Sequence, residues 1–177
     1  MGAALKTLAI WLPLFLVAMA LHESLHAAAV LVLGSQPELV VRPWAFALLP
    51  LSLPSVHVAA APPLDLNRQA LDNLAGPGLA ALVVVAATFA ARGRWLVAAL
   101  AANAAGLIFY ALIEPAYVLL DGRLDVEFLG TQEVNYGFPL ALAVLAALWA
   151  GAAPADQQRG RRHHGGGQQE QRHPHSA

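Results

Sequence analysis

The sequence predicts an all-α membrane protein, a bundle of about four transmembrane helices with a proline-rich hairpin or re-entrant segment after the first. Hydrophobic residues make up 58% of the 177 positions and charged residues 12%, and the mean hydropathy is +0.57. A typical soluble domain is about 45–50% apolar and about 25% charged. The apolar residues also fall in runs long enough to cross a hydrocarbon core of about 30 Å. The lipid bilayer is therefore the expected surrounding of this chain.

Charge and cysteine content exclude several classes of function. The formal net charge is −1, and no basic stripe of the kind that binds nucleic acid is visible, so no nucleic-acid partner is expected. The chain has no cysteine. Disulfides, thiolate metal sites and cysteine nucleophiles are therefore excluded.

The first predicted span covers residues 8–33, which are apolar apart from one short polar cluster. Pro13 lies near its start, where it kinks a helix rather than ending it. Gly34 and Ser35 follow and form a typical helix C-terminus. At about 1.5 Å per residue, this run is long enough to cross the bilayer.

Residues 35–74 have a different character because they are rich in proline. One helix cannot contain all of these prolines, which are Pro37, Pro43, Pro50, Pro54, Pro62 and Pro63. Residues 39–41 and 56–58 have strand propensity. We therefore predict a hairpin or re-entrant segment that lies against the helices, because irregular backbone facing lipid would leave amides unpaired.

Three further spans are predicted at residues 74–91, 95–120 and 136–152. Together with the first they form one membrane domain, residues 1–153. Residues 154–177 are rich in Gln, Arg, Gly and His and have almost nothing apolar to bury. We expect this tail to be disordered.

The polar cluster in the first span is His22-Glu23-Ser24-Leu25-His26. On a helix His22 and His26 are about 40° apart on one face, so both imidazoles can bind one ion. In such a motif the histidines bind Zn²⁺ and the adjacent glutamate, here Glu23, takes a proton from water. Ionisable groups inside an apolar span are costly and are by default a functional hypothesis. The alternative is a hydrogen-bonded polar patch that joins helices.

A catalytic zinc has three protein ligands, and the third must come from another segment. Asp121 precedes a glycine at the end of a span, and Asp125 begins a plausible helical turn. Glu114, beside Pro115, is interpreted as a kink with a polar partner, and His57 as an interface residue. The candidates together are Asp121, Asp125, Glu114, Asp72 and His57.

The combination of motifs resembles the site-2 protease family of intramembrane zinc metallopeptidases. It consists of His22-Glu23-Ser24-Leu25-His26, Gly34, the proline-rich segment, Ala75-Gly76-Pro77-Gly78-Leu79 and Leu120-Asp121-Gly122. The resemblance implies that His22, His26 and Asp121 bind zinc and that Glu23 is the general base. It also implies that Gly76 and Pro77 pack beside the site.

The chain departs from the family pattern before Leu120-Asp121-Gly122. The family's asparagine and prolines lie close to this motif, whereas here Asn103 is distant and only Pro115 lies between. The stretch beginning at Asp125 is similar to the compact bacterial branch of the family, in which such an aspartate serves as the ligand. Asp121 and Asp125 therefore both remain candidates.

The resemblance implies a multi-pass protein of the bacterial cell membrane that hydrolyses peptide bonds of membrane protein segments. An alternative is a non-proteolytic membrane protein that uses His22 and His26 for metal binding or transport. A third possibility is a helical membrane scaffold without a metal.

Overall fold

A computed structural model describes residues 2–45, 52–120 and 132–152. The elements in chain order are α1 (Ala3–Val32), β1 (Gln36–Ala45), β2 (Ser52–Ala61), α2 (Leu66–Ala90), α3 (Arg94–Leu120) and α4 (Gln132–Gly151). The described chain is predominantly helical, and four helices are long and apolar enough to cross a membrane. The prediction of four apolar spans is confirmed. The tail of residues 154–177 lies outside the described residues.

One stripe of α1 faces the interior of the bundle. It recurs every three or four residues and consists of Thr7, Trp11, Phe15, Ala18, His22, His26 and Val30. The two histidines therefore occupy positions that in the rest of the stripe hold mostly apolar core residues. The helix ends at Val32 and is followed, as predicted, by Gly34, whose φ is 85°. The Ser35 amide then donates to the Val30 carbonyl at 3.0 Å, which closes the helix terminus.

The strands β1 and β2 are antiparallel, with Val40 opposite His57. Both strands contact α1, so the sheet lies beside the end of the helix that carries the two histidines. The Ser35 hydroxyl donates to the Pro62 carbonyl at 2.5 Å and joins the outer ends of the two strands. Whether this region forms the predicted hairpin or re-entrant path depends on residues 46–51, which are not among the described residues.

The predicted start of the second span, near residue 74, was wrong. Helix α2 begins at Leu66, and Asp65 caps it by accepting a hydrogen bond from the Arg68 amide at 3.0 Å. The first two turns of α2 are rich in charged and amide side chains, so they are not part of the apolar run from which the span was predicted. As a result, Asp72 and Asn73 are helical residues whose direction is fixed by α2.

Helix α3 is the most buried of the four candidate spans and joins two core clusters. With α1 and α2 it forms the first, which contains Ala18, Ala80, Ala81, Val84, Leu100, Ala104 and Leu107. With α1 and α4 it forms the second, which contains Trp11, Phe15, Ala99, Ala102 and Ala143. The many alanines allow the helices to approach closely. Large apolar side chains such as Val17 and Phe89 remain exposed on the outside, as expected of helix faces that meet lipid.

We predict that Ala143→Leu destabilises the bundle. Ala143 has no exposed surface and packs against α1 and α3, so a larger side chain is expected to cost about 1–3 kcal/mol of the free energy of unfolding. Ala141→Leu is the matched control, since Ala141 is an exposed residue of the same helix. Thermal unfolding in detergent micelles measures both. Equal melting temperatures for the two variants would contradict the described packing of α4.

Candidate metal centre

The side chains of His22 and His26 converge inside the bundle. Their Nε2 atoms are 2.8 Å apart and their ring centroids 4.7 Å apart. Both side chains are nearly inaccessible, with 5% and 9% of their surface exposed. The pair lies in the C-terminal half of α1, and His26 is about 9 Å from the end of the helix at 1.5 Å per residue.

Glu114 of α3 faces both histidines. Its Oε1 is 3.6 Å from His22 Nε2, and its Oε2 is 3.4 Å from His26 Nε2. One ligand atom from each of the three residues lies within 4.8 Å of the others, so the group could hold a metal ion. Asp121 and Asp125, the predicted third ligands, lie outside the described residues. Within the described part of the chain, the carboxylate that meets the histidines is Glu114.

The donor set of His22, His26 and Glu114 fits a small divalent cation. Two ligands at about 2.0–2.1 Å from a tetrahedral ion are about 3.4 Å apart. The distances from Glu114 to the two rings, 3.6 Å and 3.4 Å, agree with this separation. The distance of 2.8 Å between the rings is shorter and is also that of a hydrogen bond. These distances fit both a metal site and a hydrogen-bonded cluster. Further evidence on the site comes from the residues that surround the three side chains.

Asp72 of α2 binds the other nitrogen of His26. Its Oδ1 is 3.0 Å from His26 Nδ1, and the carboxylate is almost fully buried, with 2% of the residue exposed. A carboxylate in this position keeps the proton on Nδ1 and directs the lone pair of Nε2 toward a ligand. Histidines that bind metals almost always have such a partner. His22 Nδ1, in contrast, is buried and has no partner among the described residues.

Gly76 lets α2 approach the ring of His26. A Cβ atom at this position would lie 2.4 Å from His26 Cδ2 and 2.5 Å from its Nε2, closer than real side chains approach each other. Pro77, the next residue, is fully buried. A glycine is therefore required here, because any side chain would collide with the His26 ring, including its Nε2 atom.

Glu23 lies on the flank of the same face of α1. Its Oε2 accepts a hydrogen bond from the Val58 amide of β2 at 2.8 Å. Oε1 makes no hydrogen bond with the part of the chain that the structure describes. Glu23 is not one of the three grouped ligands. Within the described part of the chain, Glu23 is therefore held near the site through one of its two oxygens.

A cavity of about 470 Å³ opens onto this cluster. Its lining is His22, Glu23, His26, His57, Val58, Ala59, Ala60, Pro63, Gln69, Asn73 and Glu114. The structure thus brings together residues of α1, β2, α2 and α3. His57 lines the cavity but is not grouped with the metal-binding atoms of the described residues.

The sequence contained a signal for Glu114 that its neighbour Pro115 obscured. Glu114 is the one acidic residue in α3, and an ionisable residue inside a span indicates a functional site. The role of Asp72 had no such signal, because residues 66–73 were not predicted to be helical.

Comparison of the chain with protein-family models, with curated proteins and with solved structures yields no match.

We predict that Gly76→Ala weakens metal binding at least tenfold, since changes to the groups that orient a metal ligand typically cost about 10–100-fold in affinity. The new methyl group displaces the His26 ring, whose Nδ1 is bound to Asp72. Gly78→Ala is the matched control, because its Cβ would meet only Ala111 at 4.0 Å. Both changes replace a glycine inside α2, and because Gly76 precedes Pro77 the melting temperature of each variant is measured as well, which separates a loss of helix stability from a loss of metal binding. Equal zinc affinities, measured by competition with a chelator, would contradict the described contact.

Proposed function

We propose that this protein is an intramembrane zinc metalloprotease that hydrolyses peptide bonds of membrane protein segments. The observation that carries the proposal is the convergence of His22, His26 and Glu114 on one cavity, with Glu23 beside them. Two imidazoles and one carboxylate are a common ligand set of catalytic zinc, which keeps a fourth position open. The resemblance to site-2 proteases supports the same chemistry.

In this proposal His22, His26 and Glu114 hold the metal. When bound, zinc polarises a carbonyl group and makes water a stronger acid at neutral pH. Asp72 keeps His26 in the tautomer that can bind. The family pattern suggests Asp121 or Asp125 in place of Glu114, and these remain the alternative ligands.

Glu23 is the proposed general base. The Val58 amide fixes Oε2, so Oε1 is the oxygen that accepts a proton from the attacking water and then delivers it to the leaving amine. Glu23 is held by the sheet rather than by the ligand cluster. Its position therefore depends on β2 lying against α1.

The substrate is proposed to be a membrane protein segment whose backbone is locally unwound. The ligands lie within helices long and apolar enough to cross a membrane. The backbone of an intact helix is enclosed in its own hydrogen bonds, so a scissile bond must leave its helix to reach the cavity. We propose that β1 and β2 form a hairpin or re-entrant segment beside the entry, in a multi-pass protein of a bacterial cell membrane.

The second candidate is metal binding or transport without proteolysis. The observation that favours it is the cluster itself, since three ligand atoms within 4.8 Å could hold an ion in a carrier as well as in an enzyme. The two candidates differ in the role of Glu23. A base is needed for hydrolysis but not for binding or moving an ion.

We predict that Glu23→Gln retains zinc and lowers cleavage by about 10²–10⁴-fold, the usual contribution of a general base. Glu114→Gln is expected to lose both the metal and the activity. Elemental analysis for zinc and iron gives the metal content. Cleavage of labelled single-span polypeptides in liposomes, followed by mass spectrometry, gives the activity.

The control is Glu38→Gln, because Glu38 is an exposed carboxylate on β1 and should leave zinc and cleavage unchanged. A Glu23→Gln variant as active as the wild type would contradict proteolysis. If that variant also moved zinc across liposome membranes like the wild type, the transport function would be supported instead.

The third ligand is identified by comparing Glu114→Gln with Asp121→Asn and Asp125→Asn. We predict that only the change at Glu114 removes zinc, because this carboxylate faces both imidazoles. Zinc content after purification is the measurement. Loss of zinc in Asp121→Asn with retention in Glu114→Gln would overturn the assignment of Glu114.

A further inference from the structure

Helix α2 presents a polar cluster of Gln69, Asp72 and Asn73 next to the metal-binding side chains. These residues are three and four positions apart, so they lie on one face of the helix. Gln69 Nε2 donates to Asn73 Oδ1 at 2.8 Å and to Asp72 Oδ2 at 3.4 Å. The α2 polar cluster is therefore internally hydrogen-bonded.

The same cluster reaches two other helices. Asp72 Oδ1 binds His26 Nδ1 of α1 at 3.0 Å. Asn73 Nδ2 donates to the backbone carbonyl of Glu114 in α3 at 3.2 Å. A continuous path of hydrogen bonds thus runs from one metal-binding residue to another through a helix that supplies no ligand.

The contact between Asn73 and Glu114 lies where a proline interrupts the backbone hydrogen bonds of α3. Pro115 follows directly, lacks an amide hydrogen and leaves the Ala111 carbonyl without its usual helical donor. The turn of α3 that contains Glu114 therefore has one backbone hydrogen bond fewer than a regular helical turn. Asn73 of α2 donates to the Glu114 carbonyl and so restrains the backbone that positions the Glu114 carboxylate.

We propose that Asn73 and Gln69 are positioning residues that set the separation between His26 of α1 and Glu114 of α3. Asp72 orients the His26 imidazole, and Asn73 fixes the backbone of Glu114. Gln69 donates to both Asp72 and Asn73 and so fixes their positions relative to each other. The inference rests on the proposed metal site. It adds that α2 determines the geometry and affinity of that site.

The test compares Asn73→Leu with Asn103→Leu in the full-length protein in detergent. Asn103 is an amide within a span that is more buried than Asn73, and its Nδ2 donates to Ala99 of its own helix at 2.9 Å. Both variants therefore lose a hydrogen-bonded amide, the control loses the more buried one, and only Asn73→Leu loses a contact with a ligand residue. Cobalt(II) is the probe, because its visible absorption spectrum reports the coordination geometry.

Asn73→Leu is expected to bind Co²⁺ about 10–100-fold more weakly and to change the spectrum. Asn103→Leu should keep the affinity and the spectrum of the wild type. Gln69→Leu is a second variant at a partly exposed position, so it tests the same path if Asn73→Leu does not fold. It is expected to show a smaller change in the same direction.

The outcomes separate the two proposals. Unchanged Co²⁺ affinity and spectrum in Asn73→Leu, or in Gln69→Leu where Asn73→Leu does not fold, overturns the positioning role while leaving the metal site intact. Equal losses in Asn73→Leu and Asn103→Leu also overturn it, since the effect is then general destabilisation. A wild type that binds metal but cleaves no substrate overturns the protease function alone. A wild type that binds no metal overturns both proposals.

Discussion

The structure depends on one constraint, namely that ionisable side chains buried among apolar helices must satisfy one another. His22, His26, Asp72 and Glu114 lie in helices long and apolar enough to cross a membrane, and an unpaired polar group in an apolar surrounding costs several kcal/mol. They meet through contacts of 2.8–3.6 Å. Each helix must therefore keep its register relative to the others, or a charged group loses its partner.

Each element of the fold contributes a different part of this cluster. Helix α1 supplies both imidazoles from the stripe that also builds the core. Helix α2 approaches closely at Gly76, and α3 adds the carboxylate of Glu114. Strand β2 holds Glu23 outside the ligand group through one oxygen, and among the described residues the other oxygen has no hydrogen bond. A polar patch that only joins helices would require the pairing of His22, His26 and Glu114. It would not require a further carboxylate, that of Glu23, beside them at the cavity.

The sequence predicted the features that depend on local patterns. Long apolar runs predicted the four spans, and Gly34 predicted the end of α1. The spacing of four residues predicted that His22 and His26 share one face of the helix. The sequence could not predict which carboxylate meets them, because that choice depends on how α3 is shifted along α1. The early start of α2 was missed because Asp65 caps a polar first turn. Asp72 could be recognised only after that turn was known to be helical.

X-ray absorption at the zinc edge tests the central claim most directly. On zinc-loaded wild-type protein we predict two imidazole nitrogens and at least one carboxylate oxygen at about 2.0–2.1 Å, with the carboxylate contribution changed in Glu114→Gln. A spectrum without imidazole scattering, or one with a single imidazole, would contradict the account. It would mean that His22 and His26 bind each other rather than a common ion.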